Sequence, residues 1–195
     1  GVRNDDDPLF IRLGNANLRQ SRNHTFELTF NTMSNGKYNT SWALSTGANI
    51  LQDALGTKVT YDRATGQTTS QQVNVNGNWS ANASITLNRG LDANHNLDLS
   101  ASLRSDYSRN VDLNHTATGS DDAKSKVYTL NTSGSLTLSY HKSRNFMAML
   151  IATVNNNRVT GSRDDFMATN ATTYFATAKV MVKLPLGFEL TNNIN

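Results

Sequence analysis

The chain has 195 residues, of which 37% are hydrophobic and 17% charged, and a formal net charge of +3 at pH 7. Soluble domains average about 45–50% apolar residues (glycine included) and about 25% charged ones, so the chain lacks part of the core and of the charged surface of such a domain. Its basic residues are scattered and form no basic patch or stripe of the kind that binds nucleic acid. The absence of cysteine excludes disulfides and thiolate metal sites.

No apolar run reaches 18 residues, so we expect no transmembrane helix. The opening letters GVRNDDDPLF contain no basic region followed by an apolar one, so they predict no signal peptide. We expect a single unit over residues 1–195, in which 1–21 form a lead-in turn region and 22–195 form strands joined by alternating short turns and long loops.

Hydrophobicity with a period of two runs through most of the chain and predicts β-strands, whose side chains alternate between two faces. The first two strands are joined by Asn35-Gly36, a strong hairpin signal because both residues tolerate positive φ. Segment 146–154 is apolar on both faces and is a further strand. The apolar positions of the other predicted strands are, in chain order, His24, Phe26, Leu28 and Phe30; Trp42, Leu44, Ala48 and Ile50; Val73, Val75, Trp79, Ala81, Ala83, Ile85 and Leu87; Leu97, Leu99, Ala101 and Leu103; Tyr128, Leu130, Leu136, Leu138 and Tyr140; Tyr174, Ala176, Ala178, Val180, Val182 and Leu184; Phe188, Leu190 and Ile194.

The longest unbroken alternation covers residues 71–88, QQVNVNGNWSANASITLN. It is about three times as long as the usual strand of roughly 5–6 residues. This strand and that at 96–113 also exceed the roughly 9–11 residues with which a tilted strand crosses a bilayer. One face of 71–88 is apolar and the other carries amides and hydroxyls, as expected of a strand between lipid and a water-filled lumen.

The connections between the predicted strands alternate in length. Bacterial outer-membrane barrels have this asymmetry, with short periplasmic turns and longer extracellular loops. Aromatic residues form two bands that flank a charge-poor belt, which suits the two interfaces of a bilayer. The short connections are 34–37, 88–96, 141–145 and 185–187, and the long ones are 52–70, 109–126 and 155–170.

These patterns predict an all-β chain: an antiparallel up-and-down meander of about eight long strands that is part of a transmembrane β-barrel in the bacterial outer membrane. The alternative is a secreted structural or adhesive β-protein, folded as a sandwich or a solenoid. A sandwich would refold in buffer without detergent, whereas a lipid-facing sheet would not.

The segment DPLFIRLGNANLRQSRNHTFELTFN (7–31) resembles a stretch common in the barrels of TonB-dependent receptors, particularly those of Bacteroidetes. That stretch typically reads Gly-Asn-Pro-x-Leu-Lys-Pro-Glu and leads into a strand. Gly14, Asn15, Asn17 and Leu18 match it. The departures from it are Ala16 for proline, Arg19 for lysine, and Gln20 and Ser21 for Pro-Glu. Segment 61–77 looks like the extracellular hairpin of that family, and 183–194 looks like its periplasmic turn after a strand.

The resemblance implies a barrel of about 22 strands with a plugged lumen, which imports a siderophore, cobalamin or a glycan with energy from TonB. It implies outer-membrane lipid, a plug domain, TonB and a small-molecule or glycan ligand as partners, with no nucleic acid and no enzymatic activity. The chain departs from the family in having about eight strands, no plug and an end, TNNIN, without the terminal aromatic residue. We therefore expect a segment of a larger receptor barrel. A complete small outer-membrane barrel of eight strands is the alternative.

Groups for metal or catalytic chemistry are sparse. The four histidines are isolated in sequence and lack metal-site spacing. His115, Asp121 and Asp122 share one predicted loop and would suit the acid–base rim of a small-barrel hydrolase. We nevertheless expect no catalytic, cofactor-binding or metal-binding residue. The candidate functional residues are polar side chains predicted to face the lumen: Asn74, Asn76, Asn78, Asn82, Asp98, Arg104, Asp106, Lys179 and Lys183.

Overall fold

The structure, a computed structural model, describes residues 3–7, 9–113, 124–143, 145–184 and 188–194, with 3–7 and 112 described through their backbone. The described residues form twelve strands and no helix. The strands are β1 Arg3–Asp7, β2 Phe10–Leu13, β3 Arg22–Ser34, β4 Thr40–Gln52, β5 Ala54–Tyr61, β6 Thr68–Val75, β7 Asn78–Gly90, β8 Leu97–Asp112, β9 Ser125–Ser143, β10 Phe146–Gly161, β11 Thr169–Lys183 and β12 Glu189–Ile194.

Eight of these strands form one sheet in the order β3-β4-β7-β8-β9-β10-β11-β12, with every neighbouring pair antiparallel. The chain runs up and down through this sheet, and only the β5–β6 hairpin interrupts it. The strands from β8 to β11 are 15 to 19 residues long. The prediction of an all-β chain with an antiparallel meander of about eight long strands is confirmed.

The predicted long connections contain more regular structure than expected. Strand β5 and the start of β6 occupy the predicted loop 52–70, and strand β10 continues to Gly161, so that the predicted loop 155–170 shrinks to 162–168. The proposed hydrolase residues His115, Asp121 and Asp122 lie outside the described residues, as does the predicted turn 185–187. Two strands, β1 and β2, lie within the predicted lead-in turn region 1–21.

A second, four-stranded sheet has the order β1-β2-β6-β5, in which β2 and β6 run parallel. The prediction of one unbroken strand over 71–88 is therefore wrong: β6 belongs to the small sheet and β7 to the large one. The chain passes between the sheets at Gly77, with φ of 111°, and at Asp53, with φ of 50°. Glycine adopts positive φ freely, and aspartate tolerates it better than most residues. The period-two pattern continues across the bend, which is why the sequence conceals it.

The buried apolar side chains of the described protein are Ile11 on β2, together with Ala54, Val75 and Val111, which lie near the passage between the two sheets. By contrast, large apolar side chains along the eight-stranded sheet are widely exposed, for example Leu28 at 63% and Leu150 at 54%. Monomeric soluble proteins rarely expose contiguous apolar patches above a few hundred Å². The large sheet therefore requires an apolar surrounding that its own chain does not provide.

Candidate functional site on the polar face

The strand register assigns the alternating residues of the large sheet to two faces. Asp106 on β8 lies directly opposite Asn82 on β7 and Asn131 on β9, so these three share a face. Leu103 lies opposite Ile85 on the other face. We call the first the polar face and the second the apolar face, and each continues across the sheet with the period of two.

Charge is divided unequally between the faces. The carboxylates described on the eight strands all occupy the polar face: Glu27, Asp98, Asp106 and Glu189. The apolar face carries basic residues near its two ends and no carboxylate among the described side chains. Because a charged side chain is costly in hydrocarbon and cheap in water, the division indicates which face is wet.

The polar face has two depressions, which meet at Asp106 and Asn131. One, of about 280 Å³, is lined by Glu27, Asn49 and Asn82. The other, of about 290 Å³, is lined by Ser133, Asn155, Asn157 and Thr173. Amide, hydroxyl and carboxylate groups thus surround the Asp106–Asn131 pair, which is a suitable set for ligands rich in hydroxyl or amide groups.

Internal bonds hold the groups at the centre of these depressions. The Arg104 guanidinium donates from Nε at 2.7 Å and from a terminal nitrogen at 2.6 Å to the two carboxylate oxygens of Asp106. Asn157 donates its amide hydrogen to Oδ1 of Asn131. The bidentate ion pair fixes the Asp106 carboxylate. The bond between Asn157 and Asn131 uses one polar group of each amide, and the other group of each amide can bind a ligand.

Gly47 determines the shape of the first depression. A Cβ atom at this position would lie 2.5 Å from Oδ1 of Asn82, so any larger residue would displace the Asn82 side chain. The Asn82 amide lies across β4 because Gly47 has no side chain there.

Seven of the sequence-predicted site residues lie at polar-face positions of the large sheet, with Asn78 at the start of β7 opposite Leu51. Asn82, Arg104 and Asp106 are brought together at the depressions. Asp98 lies eight residues before Asp106, near the start of β8. Lys179 lies opposite Met149 and Asn193, and Lys183 lies opposite Glu189, so both lysines are nearer the β11–β12 turn.

The other two, Asn74 and Asn76, lie at the junction between the sheets, and Asn78 lies beside them at the end of the large sheet. Asn74 donates its amide hydrogens to the carbonyls of Arg19 at 2.9 Å and Asp53 at 2.8 Å, and its Oδ1 accepts the backbone N–H of Arg19 at 2.7 Å. Oδ1 of Asn76 accepts the backbone N–H of Asp53 at 2.6 Å. Oδ1 of Asn78 accepts the backbone N–H of Val111, also at 2.6 Å.

The lead-in segment is bound at the same junction. Asn15, one of the residues that matched the receptor stretch, donates its amide hydrogen to the carbonyl of Gln72 at 2.9 Å. The prediction that Asn74 and Asn76 continue the row of Asn82 is therefore wrong, because β6 leaves the large sheet. Asn74 instead fastens Arg19 to β6, and both asparagines hold this segment to Asp53, the residue that follows β4.

Sequence reasoning missed several residues of the depressions. The omitted ones are Glu27, Asn49, Asn131, Asn155 and Asn157. Glu27, Asn49 and Asn131 occupy polar positions in the period-two pattern, which is the signal that identifies their face, whereas Asn155 and Asn157 lie in the predicted loop 155–170. The strand register, which the pattern does not contain, is needed to place these residues beside Asp106.

Loop carboxylates are engaged within their own turns. The backbone N–H groups of Leu97 and Asn96 donate to Asp92 at 2.8 Å and lower the pKa of its carboxyl, with the Leu97 bond contributing most. The guanidinium of Arg163 likewise lowers the pKa of Asp165. Within the described ranges no group of His, Cys, Asp and Glu side chains could hold a metal ion. The same ranges contain no helix long and apolar enough to cross a membrane.

A comparison with protein families gives one match, in which the model described as "Outer membrane protein beta-barrel family" covers residues 2–194. No curated protein and no solved structure matches the chain significantly.

Proposed function

Because the chain belongs to the outer membrane protein β-barrel family, it resides in the bacterial outer membrane, and we propose that its large sheet forms part of the wall of a TonB-dependent receptor. The resemblance of residues 7–31 to the receptor stretch supports this assignment. The structure adds that these residues are not a free leader: Asn15 and Arg19 are hydrogen-bonded to the β5–β6 hairpin.

The observation that carries the proposal is the division of charge between the faces. A basic side chain on the lipid face costs about 2–4 kcal/mol at the middle of the bilayer and little near its surfaces, and acidic ones cost somewhat less. Asp106 and Arg104 lie well inside β8, so they are tolerated only on a face turned to water. We infer that the polar face lines the lumen and that the apolar face contacts lipid.

The proposed cargo is a nutrient such as a siderophore, cobalamin or a glycan. Amides and hydroxyls dominate the two depressions, and the polar face presents many weak hydrogen-bonding groups in place of one deep pocket. Such a surface suits a ligand that passes along the wall and is released again. The proposed partners are a plug domain and TonB, together with outer-membrane lipid, and the proposal includes no catalytic step and no nucleic acid.

The test is uptake by the native host. A strain without the protein, complemented with the wild-type gene, is compared for import of labelled siderophore, cobalamin and oligosaccharides, with and without TonB. We expect import of one class to require both the protein and TonB. Unchanged import of all three classes in the deletion strain, or import that persists without TonB, would refute the receptor assignment.

Variants locate the contribution of the polar face. We expect Asp106→Asn combined with Asn131→Ala to reduce import several-fold, because both depressions lose a central group. Glu189→Gln is the matched control, since it also converts a carboxylate to an amide on the polar face but lies on β12, away from the depressions. Equal import by both variants, at equal surface expression, would contradict a ligand-contacting role for the Asp106–Asn131 region.

The number of strands in the large sheet favours a second candidate, a complete small barrel, because eight strands are sufficient for closure. Closure would pair β3 with β12, the two edges of the sheet. The chain has no cysteine of its own. Two cysteines introduced at Thr29 and at Thr191 or Asn193 can therefore form a disulfide only with each other within one molecule. Efficient disulfide formation within one molecule would establish the small barrel, whereas a wall segment would keep these positions apart.

A further inference from the structure

Three basic residues form a cluster on the apolar face, at the end of the sheet that carries the long connections. They are Arg109 on β8, Lys126 on β9 and Arg158 on β10. Arg109 lies directly opposite Tyr128, Lys126 precedes Tyr128 by two residues on the same face, and Arg158 lies opposite Leu130, diagonal to Tyr128. Directly opposed Cβ atoms in a sheet are about 4.5–5.5 Å apart and diagonal ones about 7–8 Å, so the Cβ atoms of all three basic residues are neighbours of the Cβ atom of Tyr128.

These cations have no anionic partner in the described protein. The guanidinium Nε of Arg109 is buried and has no hydrogen-bond partner among the described residues, whereas Arg104 and Arg163 each pair with an aspartate. The carboxylates described on the strands all lie on the opposite face, and so they cannot neutralise the cluster. A buried donor without a partner costs about 1–3 kcal/mol, more when it is charged, so the site is suited to an anion that the described residues do not supply.

The position of the cluster specifies the kind of anion. Below it, beyond the Tyr107–Leu130 pair, Ser105 and Thr132 share a hydrogen bond at 3.4 Å on the apolar face, and below them the face is occupied by Leu103 and Leu136. Beside it, the rings of Trp79 and Tyr107 lie 5.0 Å apart between centroids. Amphipathic rings lie at the headgroup level of a bilayer, so the cluster is at the height of lipid headgroups.

An apolar depression continues the site along the same face. It has a volume of about 550 Å³ and is lined by Ile50, Gly77 and Trp79, with Trp79 directly between Ile50 and Arg109 in the register. A terminal nitrogen of Arg109 lies 3.3 Å from where a Cβ atom of Gly77 would be, so the guanidinium lies over this glycine at the border of the depression. A ligand here would meet cations at one end and an apolar groove at the other, which is the chemistry of a phosphorylated amphiphile.

We propose that the patch of Arg109, Lys126 and Arg158 binds the phosphate groups of the glycolipid of the outer leaflet, with an acyl chain along the Trp79 groove. Long connections of outer-membrane barrels are extracellular, so this end of the sheet meets the leaflet that contains lipopolysaccharide. Arginine suits the role because its planar fork bonds phosphate in a bidentate manner. The proposal requires membrane residence and does not require a transport function.

The test is binding of lipid A to the protein purified from outer membranes in mild detergent and depleted of lipid. Native mass spectrometry counts bound lipid A, dephosphorylated lipid A and inorganic phosphate. We expect removal of the lipid phosphates, or the triple variant R109Q/K126Q/R158Q, to weaken lipid binding by at least about tenfold, the lower limit expected for a charged hydrogen bond. Inorganic phosphate at millimolar concentration should displace none of the lipid.

The matched control is R89Q/K142Q/K37Q, which lowers the net charge equally but at the short-turn end, where Arg89 and Lys37 lie over the Tyr38 ring. We expect this control to keep affinity within about twofold of the wild type. Equal weakening by both triple variants, undiminished binding by R109Q/K126Q/R158Q, or equal binding of free phosphate would each overturn the proposal. If that triple variant does not fold, Arg158→Gln alone, which changes an exposed side chain, must weaken binding measurably, and Arg109→Lys must retain more affinity than Arg109→Gln.

Discussion

The asparagine network at the junction gives the most specific prediction. Asn74→Ala removes three hydrogen bonds, two to the backbone of Arg19 and one to the carbonyl of Asp53. Each such bond contributes about 0.5–1.5 kcal/mol net, and the Arg19 groups are exposed, so water replaces their lost partner. The carbonyl of Asp53, a residue only 9% exposed, has less access to water. We expect local opening of the junction to become about 2–3 kcal/mol easier, which corresponds to about 30–150-fold.

Amide hydrogen exchange, measured by mass spectrometry on the protein in detergent micelles, is the assay for this opening. Peptides covering 14–20 and 54–75 should exchange about 30–150-fold faster in the variant. Peptides from β8 should be unchanged, because Asn74 makes no bond to that strand. The effect is expected to be local, since the eight-stranded sheet keeps its own ladder of hydrogen bonds.

The control for this experiment is Asn31→Ala on β3, where the same substitution removes an exposed amide without a described hydrogen bond. Indistinguishable exchange in the two variants would show that Asn74 does not fasten the junction. Equal acceleration in β8 and in the junction peptides would also refute the reasoning, because it would mean that the two sheets open as one unit.

Three further predictions concern the faces, the bend and pH. Leu136→Lys should destabilise the protein in lipid by about 2–4 kcal/mol, measured by urea unfolding in vesicles, and Ser135→Lys on the polar face should cost much less; equal costs would contradict the assignment of the faces. Gly77→Ala should lower stability by about 1–3 kcal/mol because its φ of 111° is strained for alanine, and an unchanged unfolding midpoint would count against that. Asp92 has a lowered pKa, mainly through the Leu97 N–H, so its stabilisation is present above the unfolded pKa of about 3.9 and is lost as pH falls through the folded value. The protection factors of amides in the β7–β8 turn, which are corrected for the pH dependence of intrinsic exchange, should therefore fall below about pH 4 in the wild type, and Asp92→Asn should remove that decrease.

Much of the large sheet could be predicted from the sequence because one physical rule governs it. Strand side chains alternate, so Asn82, Arg104 and Asp106 could be assigned to one face from the letters alone. Their meeting with Asn131 and Asn155 depends on the register between strands, and many registers satisfy the same alternation. Which polar residues meet in a depression therefore depends on how the strands pair, and the sequence of one strand does not determine that pairing.

The bend between the sheets was hidden for a related reason. In the sequence, Asn74 and Asn76 continue the polar positions of the strand that contains Asn82. The alternation of polar and apolar residues is the same whichever sheet a strand joins, so it does not reveal the change of sheet. Gly77 interrupts only the apolar series, and an isolated glycine within a strand pattern is compatible with a bulge or a break. Asp53 has a positive φ and is hydrogen-bonded to Asn74 and Asn76, contacts between distant residues that the local sequence does not indicate.

The parallel pairing of β2 with β6 has a consequence for the order in which the protein assembles. Bonds that join the lead-in segment to β6 connect residues 55 and 57 positions apart, whereas β3, β4 and β5 follow one another through local connections. Closing a loop of that length costs more entropy than closing a hairpin, and β6 must exist before β2 has an edge to join. We therefore expect the lead-in segment to dock after the β5–β6 hairpin has formed, and residues 9–20 to remain unpaired until then.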